Sequence, residues 1–248
     1  LIDFTPALKE AGLAAASRFK LGPIFTPPVV SKAEGPLATF SNGPTNGGSN
    51  WPGGSYDPET HMLYRSATNA SPSALGLIVP AKGVSDMDYI RGFAPGAGRG
   101  GFTVQGLPLL KPPYGTITAI DLDKGDIVWQ VPHGETPDAV RNHDALKGVT
   151  IPRTGQAGSV GTLVTKTLVI AGDPEVTTVA PRPRGAVLRA YDKSTGKEVG
   201  GVNLPAPQSG SPMTYTVGGK QYIVVAVSGG PYSGEYIAFR LPAAAAAR

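Results

Sequence analysis

At 248 residues the chain is long enough for one large all-β domain or two small ones, and only 16% of its residues are charged while 40% are hydrophobic. It contains no cysteine, which excludes disulfide scaffolds, thiolate metal sites, cysteine nucleophiles and a covalently attached c-type haem. The net charge of +4 is small and scattered, and it lacks the aromatic-interleaved basic platform that nucleic-acid binding needs. Glycine (34) and proline (25) together make roughly a quarter of the chain. Short β-branched and aromatic runs alternate with these turn residues, which favours folded strands over disorder. No apolar run approaches the length of a membrane-spanning helix.

In chain order, Leu1-Ile2-Asp3-Phe4 reads like the interior of a longer protein, with no secretory leader. One helix is expected over Ala7 to Phe19, with Thr5 as cap and Pro6 at the first position. Beyond it a weak repeat dominates. Residues 117–129 (ITAIDLDKGDIVW) and 188–199 (LRAYDKSTGKEV) align on Ala119/Ala190, Asp121/Asp192 and Gly125/Gly196. Each copy predicts a hairpin in which an aspartate satisfies turn amides and glycine supplies a positive φ. A third, partial copy is Tyr236-Ile237-Ala238-Phe239-Arg240-Leu241.

Another strand pair precedes each copy. These are 54–56 with 62–64, 162–164 with 168–170, and 213–215 with 222–227, bridged by Asp57–Thr60, Thr165–Thr167 and Gly218–Lys220. Four strands per repeated unit is the pattern of a propeller blade. The expected fold is therefore all-β, a partial β-propeller of about three blades with one short N-terminal helix. The expected boundaries are 1–40 (the end of a preceding blade), 41–134, 135–205, an incomplete last blade at 206–242, and a tail at 243–248. Three blades cannot close a ring, so the remaining blades, or another copy of the chain, are expected to complete it.

Several local patterns carry little. Gly96 to Gly101 matches a dinucleotide loop, but Pro95 before it and Pro108, Pro112 and Pro113 after it prevent the helix that such a loop must open. A loop over the channel mouth is expected there instead. Arg182, Arg184 and Arg189 read as a solvated loop. His61 and His133 read as surface residues, and His143 as a surface residue with the channel as its alternative.

Three stretches resemble the PQQ-dependent (quinoprotein) alcohol and glucose dehydrogenases, over about residues 20–242. Gly47 to Thr60, with Asn50-Trp51 at its centre, is similar to that family's Asn-Trp segment. The hairpins at 119–129 and 190–199 resemble its blade-docking repeat, Ala-x-Asp-x-x-Thr-Gly-x-x-x-Trp. Ser211 to Tyr215 with Gly219 to Val225 resembles the opening of its last blade. The resemblance implies an eight-bladed propeller holding PQQ and Ca²⁺ in its channel. It also implies oxidation of a sugar or alcohol, electron transfer to ubiquinone or a cytochrome, and a periplasmic location.

Carried over, Asn50 would hydrogen-bond the quinone and Trp51 would line its pocket, with a core tryptophan as the alternative for Trp51. Trp129 fits the blade-docking position, where the second copy has Gly200. Asp173 or Glu175 would supply an acid near the quinone. Gly155-Gln156-Ala157-Gly158 lacks the tryptophan of alcohol-type members, which leans toward the sugar-oxidising branch. The family's general-base aspartate and its Ca²⁺ carboxylate fall in its N-terminal half, outside the part resembled. The competing functions are a cofactor-free propeller scaffold for protein interaction and an inactive fragment.

Overall fold

The structure, a computed structural model, describes residues 1–42, 48–69, 72–96 and 102–240. It opens with α1 (Pro6–Ala16), followed by β1 (Val29–Val30), β2 (Thr39–Ser41), β3 (Gly54–Asp57), β4 (Met62–Thr68), β5 (Ser73–Ile78) and β6 (Ile90–Arg91). Then come β7 (Thr103–Val104), β8 (Leu107–Pro108), β9 (Gly115–Asp121), β10 (Asp126–Pro132), the short α2 (Asp138–Arg141) and a 3-10 turn at Asp144–Leu146. The last third is β11 (Leu163–Val164), β12 (Leu168–Gly172), β13 (Ala186–Asp192), β14 (Glu198–Leu204), β15 (Met213–Val217), β16 (Lys220–Gly229) and β17 (Tyr232–Arg240). The Ala97–Gly101 part of the glycine-rich loop and the tail from Leu241 lie outside the described residues.

Two compact bodies result. The first comprises 1–48, 69–112 and 142–151. Its helix opens as the residues dictate: Thr5 is extended and its hydroxyl accepts from the Leu8 amide at 3.2 Å, with Pro6 at the first helical position. The helix stops at Ala16, three residues short of the expected Phe19. Phe19 turns instead into an aromatic cluster with Phe40 and Phe102, centroids 5.8–5.9 Å apart. The body's sheet runs β1-β5-β2, with β6 also paired to β5. The stretch 69–112 departs between the second and third strands of one sheet of the other body, an excursion that no local pattern announces.

The second body, 49–68, 113–141 and 152–248, carries the repeats. Two of its sheets are four-stranded, β10-β9-β4-β3 and β11-β12-β13-β14, and the third is β15-β16-β17. All neighbouring strands in these sheets are antiparallel. The two repeat hairpins agree in detail. Asp121 Oδ1 accepts from the Asp123 and Lys124 amides, and Asp192 Oδ1 from the Ser194 and Thr195 amides. Gly125 and Gly196 sit at φ +75° and +71°. Each hairpin then slips register at the same place, after Ile127 in one and before Gly200 in the other, so that Ala119 faces Trp129 and Ala190 faces Gly200.

The strand period of two assigns alternate residues to the two faces of the middle sheet. Val169, Ala171 and Tyr191 pack with Tyr64, Ile117 and Ala119 of the first sheet. Ile170, Ala186, Leu188 and Leu204 pack with Val225 and Val227 of the third. A polar joint locks the first two sheets. Trp129 Nε1 and the Tyr64 hydroxyl both donate to the Lys193 carbonyl, at 3.1 and 3.3 Å, while Lys193 Nζ donates to Asp57 at 2.6 Å. This ion pair, with side chains 13% and 7% exposed, draws the Asp57 carboxyl down to about 2, chiefly through the Lys193 bond.

Candidate functional site

Antiparallel pairing brings particular strand ends to one rim of each sheet. Thr68 faces Gly115 and Thr116 faces Pro132 in the first sheet. Ala186 faces Leu204 in the second, and Gly229 faces Tyr232 in the third. The leading strands of the three sheets converge at that rim. Ser55 and Thr162 share a hydrogen bond between their hydroxyls, and Ser211 Oγ donates to the Pro52 carbonyl at 3.3 Å.

Asn50 and Trp51 lie in this convergence, in the turn leading into β3. Asn50 Oδ1 accepts from the Trp51 amide at 2.8 Å, which leaves the Nδ2 group of the side chain as a donor. The Trp51 side chain is not core: the residue is 97% exposed, which removes the core-tryptophan alternative. A large apolar ring held in solvent beside an amide donor suits a flat ligand with polar edges.

Asp173 follows β12 directly and is fully buried. Arg189, on β13 and 1% exposed, donates Nε to Asp173 Oδ1 at 2.6 Å and Nη2 to Oδ2 at 2.9 Å. Both carboxylate oxygens are thus held by one guanidinium fork. Arg189 Nη1 also meets both oxygens of Glu198, and its Nη2 meets Glu135 at 3.1 Å. Arg153 bonds Glu198 at 2.6 Å and Arg182 bonds Glu135 at 2.7 Å. Burial alone would lower the Arg189 pKa, but Asp173 and Glu198 outweigh it and raise it. Glu135 is held below its ordinary value: burial pushes it up, and the Arg182 and Arg189 guanidiniums more than offset this. Two of the three arginines therefore depart from the expected solvated loop, while Arg184 stays largely exposed as expected. Arg189 is the centre of a buried ionic network, and Arg182 is tied to it.

Glu175, two residues on, is half-buried, and burial raises its carboxyl pKa. Its backbone carbonyl accepts from Gln156 Nε2 at 3.4 Å. Among the described residues no hydrogen bond or ion pair joins Asn50 or Trp51 to Asp173 or Glu175.

Comparison with known proteins decides the family. A family model for the β-propeller domain of PQQ-type glucose, ethanol and alcohol dehydrogenases matches residues 1–223. The chain belongs to that family. Its fold is accordingly all-β, a partial β-propeller. It is 32% identical over 226 residues to a probable quinate dehydrogenase (quinone) of Xanthomonas campestris pv. juglandis, covering 79% of this chain and 26% of that protein. It is 29% identical to the glycerol dehydrogenase large subunit of Gluconobacter oxydans, covering 88% of this chain and 31% of that subunit. It is 32% identical to quinoprotein glucose dehydrogenase A of Acinetobacter calcoaceticus, covering 55% and 16% respectively. The chain thus spans about a third or less of the length of these relatives.

Within this quinoprotein fold the histidines take structural parts. His133, expected at the surface, is 1% exposed. It contacts the Gly172 carbonyl through Nε2 at 3.0 Å and the Tyr191 hydroxyl through Nδ1 at 2.8 Å. The carbonyl can only accept, so Nε2 carries the proton and Nδ1 accepts from Tyr191. Burial lowers the His133 pKa. His143 uses Nδ1 to cap Ala145 and Nε2 to reach the Gln105 carbonyl, so it braces a loop in the first body. His61 is the turn residue expected, bonded to Asp123 at 2.9 Å. Sequence patterns gave no signal for Glu135, Arg153 and Glu198. Each is an ordinary charged residue until the fold gathers it around Arg189.

Proposed function

We propose that this chain is the C-terminal portion of a PQQ-dependent dehydrogenase that oxidises a sugar or alcohol and passes electrons to a quinone or cytochrome in the periplasm. The observation that carries the reading is the Asn50-Trp51 pair, an exposed indole beside an amide donor where the leading strands converge. The relatives named for quinate, glycerol and glucose oxidation support a polyhydroxylated substrate.

The residues fit a flat, anionic quinone in part. Trp51 would offer a ring face and Asn50 Nδ2 would donate to an oxygen, while Glu175, whose carboxyl pKa burial raises, would stand as the further acid. Asp173, with both oxygens on Arg189, acts indirectly by holding the loop that carries Glu175. PQQ supplies a two-electron acceptor when bound. The general base and the Ca²⁺ ligands are assigned to the rest of the propeller.

Titration of the chain with PQQ, read by absorbance, tests this. Asn50→Ala is expected to cost about 1–3 kcal/mol of binding. Trp51→Ala is expected to weaken binding while leaving the melting temperature of the cofactor-free protein unchanged, because the ring is 97% exposed. Unaltered PQQ affinity in both variants removes the pair from the site.

A further inference from the structure

We infer that the second body carries a binding site for a small organic carboxylate at Arg184, independent of the cofactor reading above. An open pocket of ≈450 Å³ lies where the rims of the second and third sheets meet. That volume falls in the range of small-molecule sites. Pro205, Pro207, Pro231, Val176 and the Tyr232 ring give it apolar walls, and Arg184 is the charged residue among those lining it.

Arg184 is positioned rather than loose. Its Nη1 donates to Asp138 Oδ2 at 2.9 Å and to Thr178 Oγ1 at 3.2 Å. Asp138 is itself fixed by accepting from the Thr178 amide with both oxygens, at 3.0 and 3.1 Å. Yet this carboxylate also pairs with Arg141 at 3.0 Å, whose other bonds go to the neutral carbonyls of Thr136 and Thr178. Two guanidiniums sharing one carboxylate leave a unit of positive charge uncompensated. Both Arg184 bonds leave from Nη1, so among the described residues Nη2 and Nε remain for a ligand. Its side chain is 61% exposed.

A fixed cation with surplus charge beside proline and tyrosine walls selects a carboxylate on a hydrocarbon ring or short chain. A guanidinium fork pairs two oxygens in plane, and the apolar walls bury the carbon frame. Inorganic phosphate carries no apolar frame to bury, and an uncharged alcohol leaves the cation unmatched.

Ligand-observed NMR on the full chain tests this with cyclohexanecarboxylate, cyclohexylmethanol and inorganic phosphate as probes. The carboxylate is expected to bind, to weaken as salt is raised, and to lose about tenfold or more in affinity in Arg184→Gln. Arg184→Lys should retain part of the binding, and Tyr232→Phe all of it, since the Tyr232 hydroxyl is engaged with Glu235. Absence of carboxylate binding, equal binding of cyclohexylmethanol, displacement by equimolar phosphate, or undiminished binding in Arg184→Gln each overturns the inference. If Arg184→Gln fails to fold, the salt dependence and the Lys variant still decide. No readout involves PQQ or turnover, so this site and the dehydrogenase reading fail separately.

Discussion

Gly196→Ala isolates the joint between the first two sheets, because the repeat supplies its own control. Gly196 and Gly125 close equivalent turns at φ +71° and +75°. An alanine at either position incurs the left-handed backbone penalty, about 1–2 kcal/mol. A Cβ at Gly125 meets open space, whereas one at Gly196 falls 2.6, 2.7 and 3.1 Å from carbons of the Trp129 ring. The ring must move, which strains the Nε1 bond to Lys193 and the packing against Tyr64, centroids 5.8 Å apart. Overpacking of that kind costs roughly 1–3 kcal/mol more. Urea unfolding followed by circular dichroism and by tryptophan fluorescence, in a Trp51→Phe background so that Trp129 alone reports, measures both variants. Gly196→Ala should lose about 2–5 kcal/mol and Gly125→Ala about 1–2. In a Trp129→Ala background, followed by circular dichroism, the two should become equal. Equal costs in the presence of Trp129 would falsify the docking argument.

Three further outcomes follow from the charged groups. Asp57 is held near 2 in the folded protein against 3.8 otherwise, by the Lys193 bond first and then by the Thr60 hydroxyl and the Glu59 amide, so together these bonds stabilise above pH 3.8 by about 2 kcal/mol and that contribution is lost as pH falls toward 2. Lys193→Met should reduce this acid dependence, leaving the part due to Thr60 and the Glu59 amide, in urea midpoints measured from pH 5 to pH 2. Arg189→Met leaves Asp173 buried and unpaired, at a cost of about 3–5 kcal/mol, and Arg189→Met with Asp173→Asn should recover a measurable share of the melting temperature. His133 is buried and neutral with its pKa lowered, so the folded state binds its proton less readily than the unfolded one, and stability should fall as pH drops below 6.5. His133→Gln should flatten that slope in thermal scans, and an unchanged slope would assign it to another group.

The features legible in the chain alone are those encoded within a few residues. The Asp-to-Gly turns at 121–125 and 192–196 hold their own amides and positive φ, so their hairpins can be read locally. The same is true of the Thr5-Pro6 helix start and of the strand pairs around Asp57–Thr60 and Gly218–Lys220. The Asn50-Trp51 segment and the repeat also carried the family, because those motifs are contiguous. Which charges and rings are buried was settled by contacts between distant segments. Arg189 reads as one member of a basic loop until Glu135, 54 residues earlier, and Asp173, 16 residues earlier, close around it. His133 looks like a strand-end histidine until Gly172 and Tyr191 arrive from the next sheet. Burial of a polar group depends on partners brought from far along the chain, and a local pattern contains no record of them. Trp51 shows the converse: a tryptophan for which the core is the alternative reading stays in solvent, 97% exposed, which its local pattern does not decide.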